Sequence, residues 1–94
     1  MRVVFGENAL ADLVWWRRYY RDVFPEGAPR AGEAFLKAVD LLRSMPRMGR
    51  PAGIADTLEF VIPHTPFSLI YRIEEETLMI LRMWDNRQEP SGGG

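Results

Sequence analysis

The residues that could carry chemistry in this 94-residue chain are few: one histidine, twelve basic residues and no cysteine. The absence of cysteine excludes disulfides, thiolate zinc sites and cysteine nucleophiles. His64 lies in the stretch Pro63-His64-Thr65-Pro66, and a general base there would need an orienting partner and a substrate groove. The sequence indicates neither, so we interpret His64 as a turn residue. We also expect no metal site and no cofactor, because ligand clusters and phosphate-binding glycine loops are missing.

Arginine is the more informative residue type, since eleven of the twelve basic residues are arginine. Its planar fork binds carboxylates and phosphates, although a codon bias toward arginine explains its abundance equally well. Arg72, Arg82 and Arg87 lie on or just after the last two predicted strands. A basic strip facing a partner or nucleic acid is one interpretation. Ion pairs are the other, and the spacing favours them; the candidate partners are Glu74, Asp85 and Glu89.

The relative orientation of Arg72 and Arg82 depends on the turn between their strands. A three-residue turn places both side chains on one face of the sheet. A two-residue turn separates them, because a one-residue slip turns every side chain of a strand to the other face.

Two aromatic pairs, Trp15-Trp16 and Tyr19-Tyr20, lie on the first predicted helix. Trp16 and Tyr20 fall on its apolar face, Tyr19 flanks that face, and Trp15 points away from it. An exposed tryptophan on a small domain is often a partner contact. Coverage of Trp15 by the C-terminal segment is an equally good interpretation.

Hydrophobic periodicity predicts the first half of the chain as one strand followed by two helices. Val3-Val4-Phe5 is β-branched and aromatic, which is typical of a strand. The period then changes to that of a helix from about Asn8 to Phe24, and Asn8 is expected to cap it. A second helix with a clear apolar stripe begins near Pro29 and is ended by Pro46.

The second half of the chain predicts a loop and three short strands. Their short connections indicate an antiparallel meander, so we expect a two-layer α+β fold of order β-α-α-β-β-β, with the helical hairpin packed on an antiparallel sheet. The predicted loop spans residues 46–53, the strands span residues 57–62, 67–73 and 77–84, and Glu74-Glu75-Glu76 forms a charged turn.

Composition indicates a single domain over residues 1–90 with a flexible tail over residues 91–94. Hydrophobic residues make up 47% of the chain and charged residues 27%, with a net charge of −1. Such values are typical of a globular protein with no general attraction for polyanions. No stretch has the roughly 20 apolar residues of a membrane span, so we expect a cytoplasmic protein with no membrane association.

Five stretches, in chain order, resemble the ParE/RelE toxin superfamily of type II toxin–antitoxin systems. Asn8-Ala9-Leu10-Ala11-Asp12-Leu13 is similar to its A-x-x-D-L helix start, and Met45-Pro46-Arg47-Met48-Gly49-Arg50-Pro51 to its P-x-M-G-R-P loop. Glu59-Phe60-Val61-Ile62-Pro63-His64-Thr65-Pro66-Phe67 resembles an E-L-V-x-P-G-T-P-Y strand and turn. Leu69-Ile70-Tyr71-Arg72-Ile73 resembles L-V-Y-R-V. Ile80-Leu81-Arg82-Met83-Trp84-Asp85-Asn86-Arg87-Gln88-Glu89-Pro90 resembles a terminal I-L-R-V-x-H-x-R-Q-x-P.

The resemblance implies the same β-α-α-β-β-β fold and a cognate antitoxin, ParD-like or RelB-like, that wraps the toxin and neutralises it. It also implies a hetero-oligomer with that antitoxin. Two target classes follow from the superfamily. RelE-like members cut mRNA in the ribosomal A site, whereas ParE-like members poison DNA gyrase without cutting nucleic acid themselves.

Departures from the ribonuclease pattern favour the ParE-like branch. RelE-like ribonucleases carry lysines where this chain has Glu59 and Val61, and an arginine where it has Ser68. Many end with a catalytic tyrosine or histidine, but this chain ends in Ser91-Gly92-Gly93-Gly94, and only Arg87 matches a catalytic position. Metal-free RNA cleavage needs a proton acceptor, a proton donor and a group that stabilises the phosphorane, and one arginine supplies only the last. Two further departures concern motif positions of the superfamily. Trp84 and Asp85 lie near the position of the usual histidine, and Leu58 lies where many relatives carry arginine.

We therefore predict a ParE-like toxin that acts on DNA gyrase and is not an active ribonuclease. On this hypothesis the antitoxin or the target is bound by Arg72, Arg82 and Arg87, with Trp15 and Tyr19 as secondary contacts. The alternatives are a ribosome-dependent ribonuclease that uses Arg87 and a decayed toxin that only binds its antitoxin.

Overall fold

The structure is a computed structural model that describes residues 1–87. The predicted tail over residues 91–94 and the candidate partner Glu89 lie outside the described residues. The element order is the predicted one with an added 3-10 turn and an added short strand. The elements are β1 (Arg2–Phe5), α1 (Glu7–Asp22), a 3-10 turn (Pro25–Gly27), α2 (Ala28–Ser44), β2 (Arg50–Pro51), β3 (Leu58–Val61), β4 (Phe67–Glu74) and β5 (Thr77–Asp85).

The sheet has five strands in the order β1-β5-β4-β3-β2, and the two helices pack on it, which confirms the α+β class. Strands β3, β4 and β5 form the predicted antiparallel meander. Strand β1 pairs with β5 in the parallel direction, so the sheet is mixed rather than purely antiparallel. Parallel neighbours need a crossover, and here α1, α2 and the first strands of the meander provide it.

Helix α1 begins directly after β1, and Gly6 is its N-cap, so the expectation that Asn8 caps the helix is wrong. The Gly6 N–H still donates to the Ile80 carbonyl at 2.8 Å, while the Gly6 carbonyl already accepts the Leu10 N–H at 3.0 Å. The ladder of β1 and the first helical turn therefore share Gly6, which leaves Asn8 inside the helix. At the other end α1 stops at Asp22, and Phe24, the predicted end of the helix, is 47% exposed.

Helix α2 confirms the predicted boundaries, and its inward side forms the centre of the core. Ala31, Ala38 and Leu42 are buried against the sheet. Complete burial of a leucine contributes roughly 1.5–3 kcal/mol. Leu41 and Met45 follow the helical spacing of this apolar side as well, but they stay exposed.

Tyr71 fixes the loop between α2 and β3. Its side chain is fully buried, and its hydroxyl donates to the Pro46 carbonyl at 2.7 Å and accepts the Gly49 N–H at 3.0 Å. A Cβ atom on Gly49 would lie 2.6 Å from that hydroxyl and 2.7 Å from the Glu59 carbonyl, so this position needs glycine. We call Tyr71, Pro46 and Gly49 the Tyr71 anchor. It holds Arg50 beside Glu59, where β2 pairs with β3 in a region predicted as loop.

The β4–β5 hairpin has a two-residue turn, since Glu74 pairs with Thr77. Such a turn alone would place Arg72 and Arg82 on opposite faces. A bulge at Leu81 compensates, because Tyr71 pairs with Ile80 but Ile70 pairs with Arg82. Arg82 is thus returned to the strand face of Arg72, an outcome that turn length alone does not predict.

Candidate functional site

The site is organised by the part of β5 that β1 does not cover. Pairing between the two strands ends at Phe5 and Ile80, and α1 then lies along the rest of β5. The Asp12 carboxylate accepts the Met83 backbone N–H at 2.9 Å, in place of a neighbouring strand. It also binds the Arg82 guanidinium through two hydrogen bonds of 2.8 and 3.2 Å. Arg82 therefore joins β5 to α1.

Arg87 lies just after β5 and is held by two partners. The Asp85 carboxylate accepts its Nε–H at 2.9 Å and an Nη2–H at 2.7 Å, in a bidentate pair. Its Nη1 donates to the Tyr19 hydroxyl. The guanidinium carbon lies 4.6 Å from the centre of the Tyr19 ring and 5.4 Å from that of Phe67, within the range of cation–π attraction.

Electrostatics at this end of the sheet favour the charged forms of both ion-pair partners. Hydrogen bonding to Arg87 holds the pKa of the Asp85 carboxyl below its usual range, and the Asp85 carboxylate raises the pKa of Arg87. Burial raises the pKa of the nearby Tyr20 phenol. Each of these shifts moves away from neutral pH, so Asp85 is an anion and Arg87 a cation across the physiological range.

Trp15 extends this arrangement to the surface. Its ring stacks on Tyr19 with centroids 5.6 Å apart and meets the edge of Phe67 at 6.0 Å. It is 45% exposed, as expected for a residue pointing away from the helix core. The alternative of coverage by residues 88–94 lies outside the described residues. We call the surface formed by Asp12, Trp15, Tyr19, Arg82, Asp85 and Arg87 the α1–β5 seam.

Arg72 is the one predicted site residue that lies apart from the seam. It forms an ion pair with Glu74 near the hairpin, without a hydrogen-bond geometry at its Nε atom. Within residues 1–87, Arg72, Arg82 and Arg87 each have an acidic partner and do not form a continuous basic strip. The predicted partners Glu74 and Asp85 are confirmed for Arg72 and Arg87.

Sequence reasoning missed three contributors to the seam. The contacts of Asp12 with Arg82 and Met83 span about seventy residues, which no local pattern indicates. Phe67 underlies Arg87 without any signal in its spacing. Ser68 is buried, and its hydroxyl accepts an amide N–H of Asn86 at 2.6 Å, which fixes the chain just before Arg87.

The described part of the chain holds no group of three or more histidine, cysteine or carboxylate side chains placed to bind a metal ion. Neither of its helices is long and apolar enough to cross a membrane. His64 lies in the β3–β4 turn as predicted, with its backbone at a φ of 66°.

Comparisons with known proteins agree with this architecture. A chain of the chromosomal ParDE toxin–antitoxin system from Pseudomonas aeruginosa superposes with a TM-score of 0.71 and 26% identity, over 88% of this chain and 92% of that one. A chain of the intact Escherichia coli RelBE toxin–antitoxin complex shares the fold, with a TM-score of 0.60 and 17% identity over 95% of this chain and 98% of that one.

Sequence comparison gives the family. Y4kP of Sinorhizobium fredii, a candidate toxin, is 33% identical over 66 residues, which cover 70% of this chain and 69% of that protein. Residues 3–90 match the family model described as the ParE toxin of the type II toxin–antitoxin system parDE. The chain therefore belongs to the ParE toxin family of type II toxin–antitoxin systems.

Proposed function

We propose that this toxin inhibits DNA gyrase in the cytoplasm and that a cognate antitoxin neutralises it by forming a hetero-oligomer. The observation that carries the choice of target is the bidentate pair between Arg87 and Asp85. Arg87 is the single match to the ribonuclease pattern of the superfamily. Its guanidinium charge is already balanced by a carboxylate at hydrogen-bond distance.

That pair disfavours phosphoryl chemistry at the seam. A guanidinium that stabilises a phosphorane needs N–H groups aimed at the developing charge, in a site without a competing anion. Asp85 occupies two of these N–H groups and would repel an incoming phosphate. Proton transfer is best served by groups whose pKa lies near the working pH, whereas the shifts of Asp85, Arg87 and Tyr20 move away from it.

The same surface suits a protein partner. Tryptophan, tyrosine and arginine are the residue types that contribute most to binding at protein interfaces, and Trp15, Tyr19 and Arg87 are stacked together at this one. Asp12 and Arg82 hold α1 and β5 in the relative position that the stack needs. We assign target binding to Trp15, Tyr19 and Arg87. Arg72, nearer the hairpin end of β4, stays a proposed contact of either the antitoxin or the target.

Induction of the chain without an antitoxin in a bacterial host tests this function. We expect growth arrest, induction of the SOS response and gyrase trapped on cleaved DNA. Trp15→Ala should keep the fold, because the side chain is about half exposed, and should relieve the arrest. Leu36→Ala is the matched control, since it also removes an exposed apolar side chain but lies on α2, away from the seam.

Primer extension on mRNA from the same cultures tests the alternative target, the ribosome. Discrete cuts in translated mRNA would contradict the gyrase proposal and favour a ribosome-dependent ribonuclease. Normal growth with soluble, folded protein would contradict both and indicate a homologue that only binds its antitoxin.

A further inference from the structure

The outward side of α1 carries a stripe of residues that stay exposed in the fold. They recur at alternating spacings of three and four residues: Glu7, Leu10, Val14, Arg17 and Arg21. This alternation keeps side chains in one line along a helix and is the spacing of a coiled-coil seam. The buried residues of α1, which are Ala9, Trp16 and Tyr20, lie on another side of the helix and pack in the core.

The middle of this stripe is apolar although the fold does not cover it. Leu10 and Val14 lie one helical turn apart, and each is 52% exposed. A single exposed apolar residue needs no explanation, but two at this spacing form a continuous apolar surface. Ala11 beside them is exposed and small, so a second helix can approach the backbone of α1 closely. The middle of the stripe is therefore suited to a partner helix.

The residues that flank the apolar middle carry opposite charges. Glu7 lies in the first turn of α1, and Arg17 lies one turn beyond Val14. Neither makes an ion pair with a side chain of residues 1–87. The helix dipole favours a carboxylate in the first turn, which accounts for Glu7. It does not account for Arg17, because the last turn of α1 has its own arginine, Arg21.

The order of acid, two apolar residues and base is complementary to itself when a second copy of α1 runs antiparallel. In one register Leu10 of each copy faces Val14 of the other. In that same register Glu7 of each copy faces Arg17 of the other, and a two-fold axis produces every contact twice. A parallel pair would place Glu7 against Glu7 and Arg17 against Arg17, and such like charges repel. The charge pattern therefore favours the antiparallel arrangement.

We infer that the outward side of α1 is a homodimer interface between two antiparallel copies of this chain. Leu10 and Val14 form its centre. Glu7 pairs with Arg17 of the other copy at both ends. A single pair of helices buries less than the roughly 1,200 Å² at which stable interfaces begin, so the dimer is weak and dissociates on dilution.

The dimer interface leaves the α1–β5 seam uncovered. Trp15 and Tyr19 lie on a different side of α1, where their rings meet Phe67. A dimer of this kind presents two seams to a target. The inference goes beyond the proposed function and does not depend on it, because it follows from the exposed residues and charges of α1 alone.

Sedimentation velocity of the purified full chain tests the dimer, over concentrations from about 5 to 500 µM that suit a weak interface. The mean mass should rise from that of a monomer toward that of a dimer. Glu7→Arg and Arg17→Glu should each raise the Kd of the dimer at least about fivefold, since each replaces two attractions by two repulsions. The double variant restores opposite charges in both pairs, so its Kd should return to within about twofold of wild type.

Recovery of the dimer in the double variant separates the interface from the stability of α1. Glu7→Arg places a cation in the first turn, where the helix dipole disfavours it, in the single and the double variant alike. The thermal midpoint of the double variant should therefore stay below that of wild type while its Kd recovers. Loss of helix stability alone cannot produce this combination.

Two leucine variants test the apolar centre. Leu10→Ala should raise the Kd of the dimer at least about threefold, because it removes an apolar contact that occurs twice in the interface. Leu36→Ala is the matched control, since it removes an exposed leucine of α2 and should leave the Kd unchanged.

A monomer over the whole concentration range would overturn the inference. Self-association that neither charge reversal alters would overturn it in favour of another surface. A double variant that stays as weak as the single variants would overturn the pairing of Glu7 with Arg17, and with it the antiparallel register. Growth arrest by Glu7→Arg reports on the proposed function separately, because this substitution leaves Trp15, Tyr19 and Arg87 in place.

Discussion

Tyr71 and Tyr19 each use a hydroxyl group to join segments that are distant in sequence, but the two hydroxyls have different surroundings. Tyr71 is fully buried and bonds to uncharged backbone groups of Pro46 and Gly49. Tyr19 is only partly buried, and its hydroxyl accepts a hydrogen bond from the charged, half-exposed Arg87.

This difference separates a contact that maintains the fold from one that is available for binding. A buried backbone group without a hydrogen-bond partner costs a large part of the free energy of unfolding of a small domain. The hydrogen bonds of the Tyr71 anchor therefore cannot be lost without destabilising the fold. Arg87 is 44% exposed at its side chain, so loss of its contact with Tyr19 costs little stability. We therefore expect mutations at the anchor to destabilise the protein and mutations at the seam to alter binding.

Gly49→Ala should have the largest effect on stability. The added methyl group meets both the Tyr71 hydroxyl and a backbone carbonyl, neither of which can move far, and we expect a loss of about 2–3 kcal/mol. Gly32→Ala is the control, because its methyl group would meet nothing within 4 Å. Inside α2 it should gain roughly 0.5–1 kcal/mol. Urea denaturation measures both, and equal effects would show that the anchor is not tightly packed.

Tyr71→Phe should cost about 2 kcal/mol, because it leaves the Pro46 carbonyl and the Gly49 N–H without their partner. Tyr19→Phe removes a hydroxyl of the same kind at the seam and should cost less than about 1 kcal/mol. Chemical denaturation of the two variants compares the regions directly. A larger loss for Tyr19→Phe would reverse the assignment of roles.

Asp12→Ala should fall between these values, at about 1–2 kcal/mol. It removes the acceptor of the Met83 N–H and the partner of the Arg82 guanidinium. Water can hydrogen-bond to both donors, because they lie at the edge of the sheet. Hydrogen exchange should show faster exchange of the Met83 amide with little change around Tyr71. Unchanged exchange at Met83 would mean that Asp12 does not close the edge of β5.

Asp85→Asn should have the smallest effect on stability, less than about 1 kcal/mol near neutral pH. The pKa of Asp85 is lowered in the folded state, so its contribution is present above the unfolded pKa of about 3.9 and is lost as the pH falls through the folded value. Wild type should therefore lose more stability than Asp85→Asn when the pH is taken well below 4. Parallel pH profiles of the two proteins would contradict the coupling to Arg87.

The spacing of apolar residues predicted the helices and strands, because burial of one face of each element imposes that spacing. The apolar stripe of α2 and the alternation of β4 and β5 reflect faces that the core covers, and their boundaries were correct within a few residues. The cap of α1 was wrong because Gly6 serves both β1 and α1. Its part in the β1 ladder depends on the Ile80 carbonyl, far away in the chain.

The site was only partly predictable for the same reason. The partners in the ion pairs Arg72–Glu74 and Arg87–Asp85 are two positions apart along the chain, so both pairs could be predicted from the sequence. The bulge at Leu81 and the contact of Asp12 with Arg82 depend on how α1 lies along β5, which no local spacing encodes.

Incubation of purified gyrase and relaxed plasmid with the wild-type chain and with Trp15→Ala tests the central proposal most directly. If the seam binds gyrase, wild type should block supercoiling and trap gyrase-linked broken DNA, and Trp15→Ala should need at least about tenfold more protein, equal to about 1.4 kcal/mol of binding. Full supercoiling in the presence of excess folded wild-type protein would contradict this account.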